Sequence, residues 1–230
     1  GVLRAGINLS NFLLVTGKTP TGDPSGVAPD MAAEIAARLG VPVCYVAFKT
    51  PGELADQAGR GVWDIGLIGA EPQRAEKIEF SPAYVEIEST YLVPPGSTIT
   101  SLADVDRPGI RIAVGKGAAY DLFLTRTLKH AQLVRSDAGG GRGMIDLFFR
   151  EKLDVVAGVK QSLQAHAVND PSVRIMDGRF QVIEQAMALP KGRPAAAAYL
   201  KAFVEEMKAS GFVAEGLKRS GQSASVAPPS

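Results

Sequence analysis

Arg74 is the residue of this chain whose type and setting most directly suggest chemistry. It follows an apolar run, Ile65, Leu67 and Ile68, that breaks at Gly69 into a short polar loop. A second β-rich run, Ile87–Val93, leads into Pro94-Pro95-Gly96. A parallel strand whose carboxyl end opens into a loop carrying a fixed cation is where open α/β sheets hold small anions. The pattern points to capture of a small carboxylate. A structural salt bridge from Arg74 to Glu71 or Glu76 is the competing explanation of the same residue.

Other chemistries lack their residues. The segment from Gly109 to Lys116 has glycines too far apart for a phosphate loop, and Gly117 stands where the magnesium-binding hydroxyl belongs. Gly139, Gly141 and Gly143 miss the third glycine of a dinucleotide loop, at Met144, and read as a flexible loop before a helix. There is no G-x-S-x-G elbow. His130 and His166 are far apart, without a cysteine or carboxylate at ligand spacing, and read as solvent-facing. Cys44 is the only cysteine, which leaves no internal disulfide. Neither a metal nor an organic cofactor is called for.

The elements that must position Arg74 alternate along the chain. Val2–Ile7 reads as a strand, and Asp30 as the cap of a helix with Met31, Ile35 and Leu39 on one face and Gly40 as its stop. Val43–Phe48 is a strand, Thr50-Pro51-Gly52-Glu53 has capping-box spacing, and Ile65–Ile68 is the next strand. Trp63 reads as a packing residue. This β-α-β-α-β order argues for parallel strands covered by helices. The rhythm restarts after Gly96: a capped turn at Ser101–Asp104, then strands near Ile110–Val114, Leu133–Val134 and Val155–Ala157. Helices fall at Ala118–Leu128, with Leu122 and Leu128 inward, at Met144–Phe149 and at Ser162–Val168. Strand-like Val173–Met176 and Val182–Leu189 precede two closing helices, Ala195–Ala209 and Val213–Arg219. Ser220–Ser230 is rich in small residues and proline and reads as frayed. No internal repeat is visible at the level of identity. If the final helices pack on the first unit, that unit is discontinuous; two sequential domains or one continuous sheet are the alternatives.

The balance of 25 Lys+Arg against 24 Asp+Glu offers no basic stripe for nucleic acid. No run approaches the roughly 18 apolar residues of a membrane span.

With these residues in view, the chain resembles the family 3 extracellular solute-binding proteins, the periplasmic receptors of amino-acid ABC importers. The resemblance rests on Leu3-Arg4-Ala5-Gly6-Ile7, Gly26-Val27-Ala28-Pro29-Asp30-Met31, Trp63-Asp64-Ile65-Gly66 and, most specifically, the stretch from Pro72-Gln73-Arg74-Ala75 to Ser81-Pro82-Ala83-Tyr84. Ile112-Ala113-Val114-Gly115-Lys116-Gly117, Lys152-Leu153-Asp154-Val155-Val156-Ala157 and Ala188-Leu189-Pro190-Lys191-Gly192 continue it in order. It implies a two-lobed, type II Venus-flytrap fold, each lobe a mostly parallel sheet with helices on both faces. Lobe 1 would span residues 1–94 and 189–230, lobe 2 residues 95–188, with the ligand between lobes. It also implies a monomeric periplasmic protein, its signal peptide absent from this chain, that hands its solute to a membrane ABC permease without inserting in the bilayer itself.

The resemblance assigns the ligand carboxylate to Arg74, whose planar fork makes two parallel hydrogen bonds. Gly69, Ala70, Gly117 and Ala118 would add backbone donors, Glu71 lines the same loop, and Asn11 and Phe12 supply a polar and an aromatic contact, Phe12 having a core reading as well. Lys116 and Lys160, if inward, favour a second anionic group. The sequence departs from the family where an acid should meet a ligand ammonium, because Val159 stands there. The ligand therefore either lacks an α-amine or presents it to another acid, Glu71, Glu86 or Glu88. The alternative is an enzyme similar to cyclohexadienyl dehydratases, with Glu184, Glu88 or Glu71 as a general acid.

Overall fold

The computed structural model describes residues 1–138 and 140–230. The chain opens with strands β1 (Leu3–Asn8), β2 (Gly17–Lys18) and β3 (Pro24–Ser25), then helix α1 (Val27–Arg38), β4 (Val43–Phe48), α2 (Pro51–Asp56) and β5 (Ile65–Gly69). A short 3-10 turn, Arg74–Glu76, precedes the long β6 (Ile78–Val93). Next come β7 (Arg111–Gly115), α3 (Ala119–Thr127), β8 (Gln132–Ser136), α4 (Gly140–Glu151), β9 (Val155–Val159), α5 (Lys160–Ala167) and β10 (Arg174–Ile175). The chain closes with β11 (Gln181–Pro190), α6 (Pro194–Ala209), α7 (Phe212–Arg219) and β12 (Ser225–Val226). Two compact units result, Gly1–Glu86 with Glu184–Ser230 and Ile87–Ile183, so the chain passes from one to the other within β6 and back within β11.

In the first unit β1 lies between β4 and β5 and is parallel to both, with Leu3 opposite Val43 and Ala5 opposite Ile65. β11 runs antiparallel to β5, Ala188 opposite Gly66. Every residue of β5 is buried, which is why it reads as an unbroken apolar run rather than an alternation. Helix α1 buries Val27, Ala28, Met31, Ala32 and Ile35, the spacing of one helical face. It starts ahead of Asp30, which is not the cap. Gly26, at φ 135° and ψ −176°, makes the entry, Pro29 needs no N–H partner in the first turn, and Asp30 sits there as a charge suited to the helix dipole. Leu39, expected inward, is the C-cap and 54% exposed, because the helix has ended before it.

A Cβ at Gly26 would run into the carbonyl oxygen of Leu14, and that backbone conformation is open essentially to glycine alone. Gly26→Ala is expected to cost about 2–4 kcal/mol. The loss would appear as a lower urea midpoint. An unchanged midpoint would show that the entry to α1 is not held this way.

The C-terminal residues do not fray as expected. Ser225 and Val226 pair with Glu86 and Val85 of β6, and the Ala227 N–H donates to the Tyr84 carbonyl at 3.1 Å. Lys208 Nζ donates to the Pro228 carbonyl at 2.9 Å. Composition misses this because open backbone groups on β6, rather than the tail's own side chains, supply the pairing.

In the second unit β7 lies between β8 and β9, parallel to both, and the later half of β6 runs antiparallel to β9, Ser89 opposite Val159. Helix α3 buries Ala119, Tyr120 and Leu124, whereas Leu122 and Leu128, expected inward, are half-buried. Gly139 lies outside the described residues. Gly141 and Gly143 belong to the start of α4 instead of a loop, and added Cβ atoms there would collide with Ser162 Oγ and Ala138 Cβ. Glycine thus serves close helix packing here.

Both units share one device that identity comparison does not reveal. Arg4 N–H donates to Asp64 Oδ2 at 2.9 Å, and the Asp64 N–H returns to the Arg4 carbonyl at 2.9 Å. Arg111 N–H donates to Asp154 Oδ2 at 2.9 Å, and the Asp154 N–H returns to the Arg111 carbonyl at 3.0 Å. In each unit an aspartate just ahead of a parallel strand clamps the start of the central one. The Arg4 side chain adds a fork to Asp64, with Nε and Nη2 at 3.0 and 2.7 Å, and holds that carboxyl below the usual aspartate range.

Candidate functional site

Two loops of the first unit leave the carboxyl ends of neighbouring parallel strands, one after β1 and one after β5. Gly69 ends β5, and the loop after it holds Ala70, Glu71 and Arg74. The Arg74 side chain turns back, its Nη1 donating to the Gly69 carbonyl at 2.7 Å. It is 5% exposed, and Glu71 beside it is 4% exposed. Burial pushes the Arg74 guanidinium down to about 10, against the opposing pull of the Glu71 charge. That is low for a guanidinium but far above neutrality, so Arg74 remains a cation. The arrangement is a positive group of fixed orientation, anchored by its own loop.

Of the backbone donors expected beside it, Ala70 is engaged in the fold. The Ala70 N–H donates to the Glu184 carbonyl at 2.8 Å, and Gly69 is paired with Gln185 in the sheet. Extending strand β11 along β5 consumes the Ala70 donor, a tertiary pairing that local sequence does not announce. In the loop after β1, Asn11 is half-buried and its carbonyl accepts from Leu14 and Val15 at 3.2 and 2.9 Å. Phe12 is 41% exposed, which removes its core reading and leaves an aromatic face presented to solvent.

The second unit repeats the geometry at its own strand ends, since β7 and β9 are parallel neighbours. Its loop after β7 offers less than expected. The Gly117 N–H donates to Asp121 Oδ2 at 2.8 Å and the Ala118 N–H to the Gly115 carbonyl at 3.2 Å. Asp121, buried, also receives Arg135 Nε at 3.0 Å, so this acid organises the loop from within. Lys116 is exposed and paired with Asp137 at 2.8 Å, so it is not an inward cation. A long, strongly hydrated ammonium on an open loop settles in water.

Val159 ends β9 and caps α5, and Lys160 is the first residue of that helix. Lys160 Nζ lies 3.0 Å from Glu88 Oε2, and Arg179 Nη1 lies 2.6 Å from Glu88 Oε1. The two cations hold the Glu88 carboxyl below the usual range. Sequence reasoning missed Arg179, which sits in a connecting segment with no motif around it. It also missed the role of Asp121, whose only signal is its place four residues after Gly117. His166, expected without a carboxylate, meets Asp170 at 2.9 Å one helical turn on.

No curated protein matches this chain. Solved structures share its fold at low identity. An ABC-transporter binding component from Wolinella succinogenes, complexed with lysine, has a TM-score of 0.78 and 21% identity over 95% of both chains. An amino-acid ABC-transporter substrate-binding protein of Streptococcus pneumoniae bound to L-arginine has a TM-score of 0.74 and 18% identity, over 96% of this chain and 94% of its own. The reconstructed ancestral amino-acid-binding protein AncCDT-1, described as a precursor of cyclohexadienyl dehydratase, has a TM-score of 0.75 and 22% identity over 95% of both chains. These are two-lobed periplasmic binding proteins with mixed α/β, mostly parallel sheets. The model of one family matches residues 7–221. This chain is a member of the bacterial extracellular solute-binding proteins, family 3.

Proposed function

We propose that the protein is the substrate-binding component of an ABC importer and takes up a small carboxylate-bearing solute, an amino acid or a related organic acid, through Arg74. One observation carries this reading: a buried guanidinium, fixed on the Gly69 carbonyl, at the carboxyl end of a parallel strand. In such a place a planar carboxylate meets a cation that needs no reorganisation. The protein acts in the periplasm and passes its solute to a membrane permease. No described helix is long and apolar enough to cross a bilayer. Release and capture need only a difference in ligand affinity between conformations, with no chemical step.

Two observations favour binding over a dehydratase-like reaction. Glu184 is exposed, and Glu88 is held ionised by Lys160 and Arg179. Glu71, the third candidate acid, is buried, but in the same turn as the Arg74 cation. A general acid needs the opposite, a carboxyl whose proton is retained by desolvation. Thermal denaturation against amino acids, 2-oxo acids and aromatic acids tests the reading. At least one carboxylate is expected to raise the melting temperature and to be recovered unchanged. A compound at 100 times its Kd stabilises by about 2.7 kcal/mol. Consumption of the stabilising compound would favour the enzyme instead.

A further inference from the structure

The fold of the first unit gathers cations that are scattered along the sequence onto the end of its sheet where β1 and β5 begin. β11 runs antiparallel to β5, Ala188 opposite Gly66, and so delivers Lys191 and Arg193 to that end. The Lys191 N–H donates to the Lys77 carbonyl at 3.4 Å, which places the start of β6 there as well. The Arg4 guanidinium donates to the Gly61 carbonyl, next to Arg60. Asp64 stands among them, but the Arg4 fork already holds it, and it also feels the Arg193 charge. Arg60, Lys77, Lys191 and Arg193 are exposed, and none forms a contact ion pair among the described residues. Glu76 and Glu79 flank Lys77 along the chain without pairing with it. Helix α6, which follows Arg193, has no acid in its first turn to offset these charges.

Exposed apolar side chains share this end. Val2 precedes β1, and Leu39 ends α1 just before the turn whose Pro42 carbonyl accepts the Leu3 N–H at 2.9 Å. The cations come from separate elements, so they spread charge over an area instead of forking onto a single small group. A layer of anionic headgroups matches such an array: each cation near it adds about fivefold in affinity, and aliphatic side chains settle among the headgroups. We infer that this end of the first unit docks on an anionic lipid surface. Neither Arg74 nor Glu71 takes part, so the inference stands apart from the proposed carboxylate site.

Cosedimentation with lipid vesicles tests it. Phosphatidylcholine vesicles containing one third phosphatidylglycerol are expected to carry the protein down at low ionic strength, and vesicles of phosphatidylcholine alone are not. Salt at about 0.5 M should release it, because exposed charges are strongly screened. Lys191→Glu combined with Arg193→Glu should weaken binding to the anionic vesicles by at least about 25-fold. Lys129→Glu combined with Arg142→Glu makes the same change of net charge at exposed positions of the second unit and should cost less than about fivefold. Equal losses in the two double variants would reveal a response to net charge alone and overturn the inference. Equal binding to both kinds of vesicle, or to neither, overturns it too. Binding to soluble polyglutamate but not to anionic vesicles would overturn it in favour of an acidic protein partner. The vesicle and salt comparisons on the unaltered protein decide the matter even if a variant does not fold.

Discussion

Replacing Arg74 with alanine is expected to abolish carboxylate binding and to lower the melting temperature as well. The binding loss follows from removing a desolvated, hydrogen-bonded cation, which costs about 2–5 kcal/mol, or roughly 30- to 5,000-fold in affinity. The stability loss follows from what stays behind. Glu71 keeps its burial without the adjacent guanidinium, and the Gly69 carbonyl loses the donor 2.7 Å away. Arg74→Lys separates the two effects. A lysine retains the charge next to Glu71, but its single ammonium cannot bond Gly69 and still present a fork to a ligand. The lysine variant should therefore keep most of the stability while binding carboxylates at least about tenfold more weakly. Calorimetry with the solute found by thermal screening checks it. Unchanged affinity in both variants would mean that Arg74 only ties down its own loop.

The place of Arg74 was legible because it depends on local order: a buried strand, a glycine break, a polar loop. A structural salt bridge to Glu71 or Glu76 was the competing reading of the sequence, and the structure buries Arg74 and Glu71 in the same turn. The side chains that sequence misplaced depend on tertiary partners. Lys116 reads like an inward cation until Asp137 appears beside it, and Lys160 until Glu88 and Arg179 do. The expected N–H donors at Ala70 and Ala118 are lost to the Glu184 and Gly115 carbonyls. The first of these pairings joins residues more than a hundred positions apart, which no window of sequence contains. The repeated Arg–Asp clamp was hidden for a related reason. Its partners, Arg4 with Asp64 and Arg111 with Asp154, stand at different separations in the two units, so alignment by spacing misses them.

Trp63 illustrates the other side, a residue whose packing role sequence assigned correctly and whose partners explain several motif glycines. It is 2% exposed and packs with Leu54, Ile68, Ile78 and Ala188. Its Nε1–H donates to the Leu54 carbonyl at 3.0 Å, satisfying the indole's one polar group. A Cβ at Gly6 would lie 3.3 Å from Trp63 Cδ1, and one at Gly66 would lie 3.0 Å from Leu54 Cδ2. The glycines of Leu3-Arg4-Ala5-Gly6 and Trp63-Asp64-Ile65-Gly66 are thus the floor on which the indole and Leu54 rest. Trp63→Ala is expected to cost about 3–5 kcal/mol, from the lost transfer energy and the cavity together. For a chain of this size that lowers the melting temperature by roughly 6–20 °C. Trp63→Phe, which fills part of the space but leaves the Leu54 carbonyl without its indole donor, should fall between alanine and the unaltered protein. Differential scanning calorimetry reads both. Because β5 leads directly from this cluster to the Arg74 loop, affinity measured well below the melting temperature of the phenylalanine variant should change less than stability does. A shift of only a degree or two for Trp63→Ala would show that the indole is not what seals β1, α2 and β5 together.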